Sequence, residues 1–381
     1  MKTIAFFNNK GGVGKTTIAS TIAYQLTRLG KKVLMMDLDP QSNTTQVVLD
    51  EDQVERIFSG KGTARIKTIK DIYDPMRDSN EATIGNVKDS IYKSKTSKTD
   101  FQFDLLPSHL KLSEFEDTLS DAWSDLRASK LGGFRRTNWF IQLTDQIEDL
   151  YDYVLVDLSP SLGALNRSVL LNIDYFIIPV TGDIYNYYGL SNIGPWIEQW
   201  IKIYTRSLTY LSDDYDSVAL EEFKINQNIS TDNYQKLIGY ILSRVKLTRG
   251  NKMSYKKDKR IISYQKTEFM RIEKTIFSEL EFAINPRLKK DELREIFDSK
   301  IYENIMEPCL KLGEIMESTS LLTESQGNNK PLFKRAAMAT SINNKQWDKG
   351  GAENAEYAFL KTFELITENL INNLKRVKDE K

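Results

Sequence analysis

Two residue types are nearly missing from this chain. Its 381 residues include one cysteine, Cys309, and one histidine, His109. A single thiol excludes an internal disulfide framework, a zinc finger and a cysteine-held cluster. A single imidazole excludes any metal site built on several histidines. An excess of charge of either sign is also missing, since 53 Lys and Arg face 53 Asp and Glu. That balance leaves no uniformly basic coat for nucleic acid and confines any such contact to a local patch. No run reaches the roughly 18 consecutive apolar residues of a membrane span. The apolar run Thr3–Phe7 is too short for a signal peptide, so a cytoplasmic protein is expected.

What is present is ordinary globular material, 40% hydrophobic and 28% charged, which rules out global disorder. The length suits two or three domains, or one large α/β domain with insertions. Apolar residues 3–8 run into a glycine-rich loop, Asn9–Thr17, and then into helical spacing over Ile18–Leu29 that Gly30 stops. A second apolar run, Val33–Met36, ends at Asp37. Strand, loop, helix, strand is a βαβ unit, which implies a parallel sheet with a right-handed crossover. Further buried strands are expected at Phe103–Leu106, Tyr153–Val156, Tyr175–Val180 and Leu237–Leu242. Helical patterns fall at 138–149, 162–172, 187–206 and 353–376. The expectation is one α/β domain over 1–381, a doubly wound, mostly parallel sheet flanked by helices, with elaborations at 59–100, 207–235 and 244–300.

The loop carries the chemistry. Gly11, Gly12 and Gly14 let successive backbone N–H groups turn inward without Cβ clashes and form a nest for phosphate oxygens. The helix that follows points its positive end at the same place. Lys15 would reach the β- and γ-phosphates, and Thr16 would offer its hydroxyl to Mg2+. The general phosphate-loop pattern begins with a glycine where this chain has Asn9, and Lys10 precedes the glycines.

In that Lys10–Thr17 pattern the sequence resembles the ParA/MinD family of deviant Walker A ATPases, nearest to ParA-type partition ATPases without an N-terminal helix-turn-helix region. Val33–Asn43 (VLMMDLDPQSN), Tyr153–Gly163 (YVLVDLSPSLG) and Tyr175–Val180 (YFIIPV) resemble further family segments, with weaker echoes at 105–116 and 312–333. The resemblance implies a P-loop NTPase that binds Mg-ATP, forms an ATP-held homodimer and hydrolyses ATP slowly. It implies nucleotide contacts from Lys10, Gly11, Gly12, Val13, Gly14, Lys15, Thr16 and Thr17, with Pro331 covering the base. Lys10 would reach the phosphates of the partner's ATP, adding a cation at the transferring phosphoryl group. Catalysis would rest on Lys10, Lys15 and Asp39, with Asp39 positioning the attacking water. Thr16 would hold Mg2+, Asp157 would hold it through water, and Asp37 would stand behind them. Where the family often places Asn or Thr for the adenine edge, this chain has Ser243-Arg244.

Residues 244–260 hold Arg244, Lys246, Arg249, Lys252, Lys256, Lys257, Lys259 and Arg260 against Asp258 alone. Such a patch suits sequence-independent contacts with DNA phosphates; a solvated loop or a site for an acidic partner are the other readings. The resemblance favours DNA and, with it, nucleoid association, a ParB-type activating adaptor, and partition or positioning of a plasmid, chromosome or other cargo. A membrane-associated positioning ATPase of MinD type and a metabolic P-loop enzyme are the competing classes; the C-terminal stretch Leu370–Lys381 is only a weak membrane helix. His109 and Cys309 read as structural, Trp196 and Trp200 as core or interface, and Tyr185–Tyr188 as a cluster near the expected dimer face with no assigned role.

Overall fold

Short runs of Val, Leu, Ile, Met and Phe with little polar alternation become strands buried on both faces, the setting of a parallel sheet covered by helices. The computed structural model describes residues 1–59, 66–78, 82–94, 99–246, 261–289, 310–317, 329–332 and 352–377. The strands are β1 (Lys2–Phe6), β2 (Val33–Leu38), β3 (Asp104–Leu106), β4 (Tyr153–Leu158), β5 (Tyr175–Thr181), β6 (Leu237–Val245) and β7 (Lys311–Met316). They form one seven-stranded sheet in the order β3-β2-β4-β1-β5-β6-β7, and every strand pairing in it is parallel.

The helices are α1 (Lys15–Arg28), α2 (Asn43–Val48), α3 (Glu51–Ser59), α4 (Ile69–Asp78), α5 (Leu112–Arg127), α6 (Leu131–Thr137), α7 (Trp139–Asp145), α8 (Ala164–Asn172), α9 (Ile184–Leu211), α10 (Ser217–Glu222), α11 (Ser263–Glu279), α12 (Pro286–Lys289) and α13 (Ala352–Arg376). α1 and α13 touch each other and pack on β2, β4, β6 and β7. α4, α5, α8, α9 and α11 pack on one another as a second layer. The late helix closes over the sheet as its spacing suggests, burying Leu360, Phe363, Ile366 and Leu370.

The stretches expected as elaborations contribute to the core. In 59–100, α4 buries Ile69, Ile72, Tyr73 and Met76, and the Tyr73 ring stacks on Phe115 at 4.6 Å. Their polar composition reflects amphipathic helices with one buried stripe. Residues 207–235 include the end of α9 and α10, with Leu220, Ile225, Ile229 and Tyr234 buried. The stretch 244–300 begins inside β6, and its α11 packs along α9. β7 is the strand the hydrophobic pattern does not reveal.

α9 and α11 pack together, and at Gly194 an added Cβ would collide with the Glu279 carbonyl oxygen. Glycine inside a helix is ordinarily a weak choice, and here the missing side chain admits the neighbouring backbone. Gly194→Ala should destabilise the fold by about 1–3 kcal/mol through overpacking, read by urea unfolding. Gly132→Ala, where no atom lies within 4 Å of the added carbon, should change stability far less; equal effects would contradict this packing.

Candidate nucleotide site

β1 delivers the chain to the carboxyl edge of the sheet, and Asn8 fixes the exit. Its Nδ2 donates to the Pro179 carbonyl at 2.8 Å and to Asn186 Oδ1 at 2.9 Å, and its Oδ1 accepts the Lys10 N–H at 2.9 Å. Gly12 and Gly14 take left-handed φ values of 73° and 89°, which glycine adopts without steric cost. α1 starts at Lys15 immediately after Gly14, so unpaired N–H groups of its first turn face the loop. Lys15 is buried, and its Nζ donates to the carbonyls of Asn8 at 3.2 Å and Lys10 at 3.3 Å. Burial lowers its pKa, opposed by the charges of Asp157 and Asp39.

Asp37 and Asp157 are register partners at the ends of β2 and β4, and both are fully enclosed. Asp157 Oδ2 accepts the Thr16 hydroxyl at 2.7 Å and the Thr44 hydroxyl at 2.8 Å. Asp37 Oδ2 accepts the Thr45 N–H and hydroxyl, each at 2.7 Å, and Oδ1 accepts the Asp39 N–H at 3.2 Å. Ser108 ties down the same loop: its N–H donates to Thr45 Oγ1 at 2.9 Å and its hydroxyl to the Asp39 carbonyl at 2.7 Å. Burial, then the neighbouring Asp157 charge, pushes Asp37 up to about 8. Burial pushes Asp157 up to about 6, against hydrogen bonds from Thr16 and Thr44 and the charge of Lys15.

Lys10 leaves the loop toward β5. Its Nζ meets Asp183 Oδ2 at 2.5 Å and Thr181 Oγ1 at 3.2 Å. Asp183 is also the N-cap of α9, accepting the N–H groups of Tyr185 and Asn186 at 3.1 Å. On the same side Ser243 Oγ lies 2.7 Å from the Val13 carbonyl and 3.1 Å from the Val180 carbonyl, stitching β6 to the loop.

The structure thus gathers Lys15, Thr16, Asp37, Asp39 and Asp157 at the ends of β1, β2 and β4, with Lys10 to one side. Pro331 is buried in a segment that Asn329 pins to α2 through the carbonyls of Gln46, Val47 and Leu49. Of the basic residues expected to meet DNA, Arg244 and Lys246 line a cavity beside the loop. Arg249, Lys252, Lys256 and Lys257 lie outside the described residues, as does Cys309. His109 accepts the Lys111 N–H at 3.0 Å and sets an edge against Phe58, a structural role. Trp200 is buried and Trp196 is 44% exposed.

Sequence reasoning missed Asp183, Thr44, Thr45 and Ser108. Only Asp183 carried a signal, an acid just ahead of a helical pattern, which reads as an N-cap. It also missed Glu116, which accepts the N–H groups of Ala164 and Leu165 at the start of α8.

The donor set suits a hard cation. Asp157 Oδ1 is buried with no hydrogen-bond partner, beside the Thr16 hydroxyl, and such oxygens fit Mg2+ that keeps waters and shares substrate phosphates. Thr16 and Asp157 would hold it, with Asp37 behind, and its charge would neutralise phosphate oxygens. Without metal, the two acids behave as groups whose folded-state pKa is raised. Their contribution to stability is complete below the ordinary carboxylate range near pH 4 and is lost as pH rises through about 6 and about 8. In EDTA and without nucleotide, unfolding free energy should fall across that window, and Asp37→Asn should flatten the fall. Parallel profiles for wild type and variant would refute the assignment.

A family model described as an AAA domain matches residues 1–210. The Bacillus subtilis sporulation initiation inhibitor protein Soj is 30% identical over 193 residues, 50% of this chain and 63% of Soj. The Chlamydia psittaci virulence plasmid ParA family protein pGP5-D is 29% identical over 194 residues, covering 51% and 62% of the two chains. The chain therefore matches about three-fifths of the length of these relatives. Among solved structures, protein DIP2308 from Corynebacterium diphtheriae is 27% identical with a TM-score of 0.61, covering 86% of this chain and 97% of that one. The pNOB8 ParA structure, at 19% identity, shares the fold with a TM-score of 0.56 over 99% of both chains. A single-substitution variant of Cyanothece McdA, solved as an ATP complex, shares it at 16% identity with a TM-score of 0.54 over 97% and 96%. With the family model matching residues 1–210, more than half of its length, and with relatives at 29% and 30% identity that include a ParA family protein, the chain belongs to the ParA/MinD family of deviant Walker A ATPases.

Proposed function

We propose that the protein is a ParA-like, Mg-ATP-dependent switch. One observation carries this reading: at the carboxyl ends of β1, β2 and β4, Lys15, the Thr16–Asp157 pair and Asp39 converge on one glycine nest. In open α/β sheets ligands sit at that edge. Lys15 would hold the β- and γ-phosphates, and Asp39 would orient the attacking water, its loop braced by Thr45 and Ser108. Lys10 would leave Asp183 and cross to a second copy's nucleotide. ATP would then hold a homodimer, slow hydrolysis would release it, and a ParB-type adaptor would speed that release. Similarity to the virulence plasmid ParA family protein pGP5-D and to the chromosome-partitioning ATPase Soj of Treponema pallidum supports reading the cargo as a plasmid, a chromosome or another body to be partitioned or positioned. Non-specific DNA binding through Arg249, Lys252, Lys256 and Lys257 fits this reading, with a cytoplasmic, nucleoid-associated location. No described helix is long and apolar enough to cross a membrane.

Lys15→Ala should lose ATP binding, while Asp39→Ala should bind ATP and dimerise but turn over about a hundredfold more slowly, since general-base positioning acts on the chemical step. Nucleotide titration, sizing with ADP and ATP, and phosphate release read the two apart. Unchanged ATP affinity in Lys15→Ala, or normal turnover in folded Asp39→Ala, would reject the placement.

Replacing Arg249, Lys252, Lys256 and Lys257 together with Ala should weaken binding to all DNA sequences alike. It should also flatten the salt dependence by about one unit of slope per lost phosphate contact. ATP-held dimers present two basic segments, so the wild type should bind DNA roughly a hundredfold more tightly with ATP than with ADP. Equal slopes for wild type and variant, measured with ATP on random-sequence duplexes, would assign the segment to a protein partner or to solvent.

A further inference from the structure

β6 ends in a local irregularity. Arg244 lies inside the strand with φ 55°, a left-handed conformation that non-glycine residues rarely adopt. The pairing with β7 slips between Leu242 and Val245. Bulges of this kind re-aim one side chain and concentrate beside functional sites.

The surrounding backbone is clamped. Gln265 of α11 is buried; its Nε2 donates to the Arg244 carbonyl at 3.0 Å, and its Oε1 accepts the Lys246 N–H at 2.7 Å. The Ile262 N–H donates to the Lys246 carbonyl at 3.1 Å. One residue earlier, Ser243 is fastened to the Val13 carbonyl of the phosphate loop. A strained conformation persists only where neighbours over-determine it, and glycine would make the same turn without strain. What arginine adds here is its side chain.

That side chain lies against the phosphate loop. Arg244 Nη2 is 3.9 Å from the point where a Cβ on Gly12 would stand. A cavity of about 350 Å3 opens there, with Lys10, Gly11, Gly12, Arg244 and Lys246 in its wall. Lys10 is paired with Asp183, and Lys246 with Glu317 at 3.4 Å. Among the described residues Arg244 has no ion-pair partner. An exposed guanidinium on a clamped backbone, beside a loop that can cradle phosphate and with the cavity's carboxylates Asp183 and Glu317 paired to Lys10 and Lys246, is suited to a planar, doubly bonded phosphoryl contact.

We propose that Arg244 belongs to the nucleotide site and binds phosphoryl oxygens of a nucleoside triphosphate seated in the phosphate loop, approaching from the Gly12 side. The proposal rests on the nucleotide reading above and takes Arg244 out of the basic run 244–260, for which the family resemblance favours DNA.

Calorimetric titrations of wild type, Arg244→Gly and Arg244→Lys with Mg-ATP, Mg-tripolyphosphate and random-sequence duplex DNA test it. Arg244→Gly suits the backbone, so its melting temperature should equal or exceed that of wild type. Its affinity for ATP and for tripolyphosphate should fall about tenfold or more, the range for hydrogen bonds to charged groups, with Arg244→Lys restoring part. The salt dependence of DNA binding should stay as in wild type. Unchanged ATP affinity in a well-folded Arg244→Gly protein overturns the proposal, as does a loss confined to DNA. Weakened ATP binding with unaltered tripolyphosphate binding overturns the phosphate contact in favour of ribose or base. A wild type that binds neither ATP nor tripolyphosphate overturns the nucleotide reading itself, and this inference with it.

Discussion

Asp37 and Asp157 stand opposite each other in neighbouring strands with their side chains fully enclosed. Two carboxyl groups in that setting are costly unless protons, donors or cations compensate them. The structure supplies donors from separate directions: Thr16 from the head of α1, Thr44 and Thr45 from the start of α2, and the Asp39 amide. Lys15 adds a buried charge nearby. A one-residue slip of β2 against β4 would move Asp37 to the other face of the sheet and leave the pair apart. The register of these two strands therefore positions the helix that carries Lys15 and Thr16, and the loop that carries Asp39.

The other flank of the loop is organised by polar stitching. Asn8 reaches Pro179 and Asn186, and Ser243 reaches Val13 and Val180. Both side chains are buried, so these hydrogen bonds are costly to break: an orphaned group would keep its desolvation penalty without compensation. The phosphate loop is thus held at Asn8 by the Pro179 carbonyl of β5 and the Asn186 side chain of α9, and at Val13 by the Ser243 side chain of β6. Gly12 and Gly14, on either side of Val13, take the left-handed conformations from which a phosphate nest is built. A loop fixed in this way is what preorganised anion binding requires.

The parts legible in the sequence were those whose physics is local. β1, β2, β4, β5 and β6 are contiguous apolar runs, and the glycine loop announces its own backbone conformation. β7 is hidden because the half-buried Lys311, Glu314 and Met316 of this edge strand break up its apolar run, and Gly313 leaves room for Ile366. Stretches such as 69–78 looked inserted because one buried stripe is diluted by charged neighbours. Thr44, Thr45 and Ser108 were invisible for a different reason. Their roles are hydrogen bonds to residues brought close only by the fold, such as Thr44 to Asp157 across 113 positions, and a threonine among polar neighbours carries no mark of that. Charge groups Arg244 with its basic successors, and the family resemblance only sets Ser243-Arg244 at the adenine-edge position; the backbone conformation is what sets Arg244 apart.

Lys10 and Lys15 lie five residues apart and are held very differently. Lys15 is buried, with its amine against loop carbonyls, so its position is part of the fold. Lys10 and Asp183 keep side chains 27% and 28% exposed, and solvent-accessible ion pairs contribute at most about 1 kcal/mol. Asp183 does not depend on the lysine, since it also caps α9 through the amides of Tyr185 and Asn186 and accepts the Thr181 hydroxyl. Releasing Lys10 would therefore leave the helix capped and cost the subunit little. A lysine proposed to act on a second copy's nucleotide needs a resting place of this kind, close enough to fix its direction and weak enough to give up.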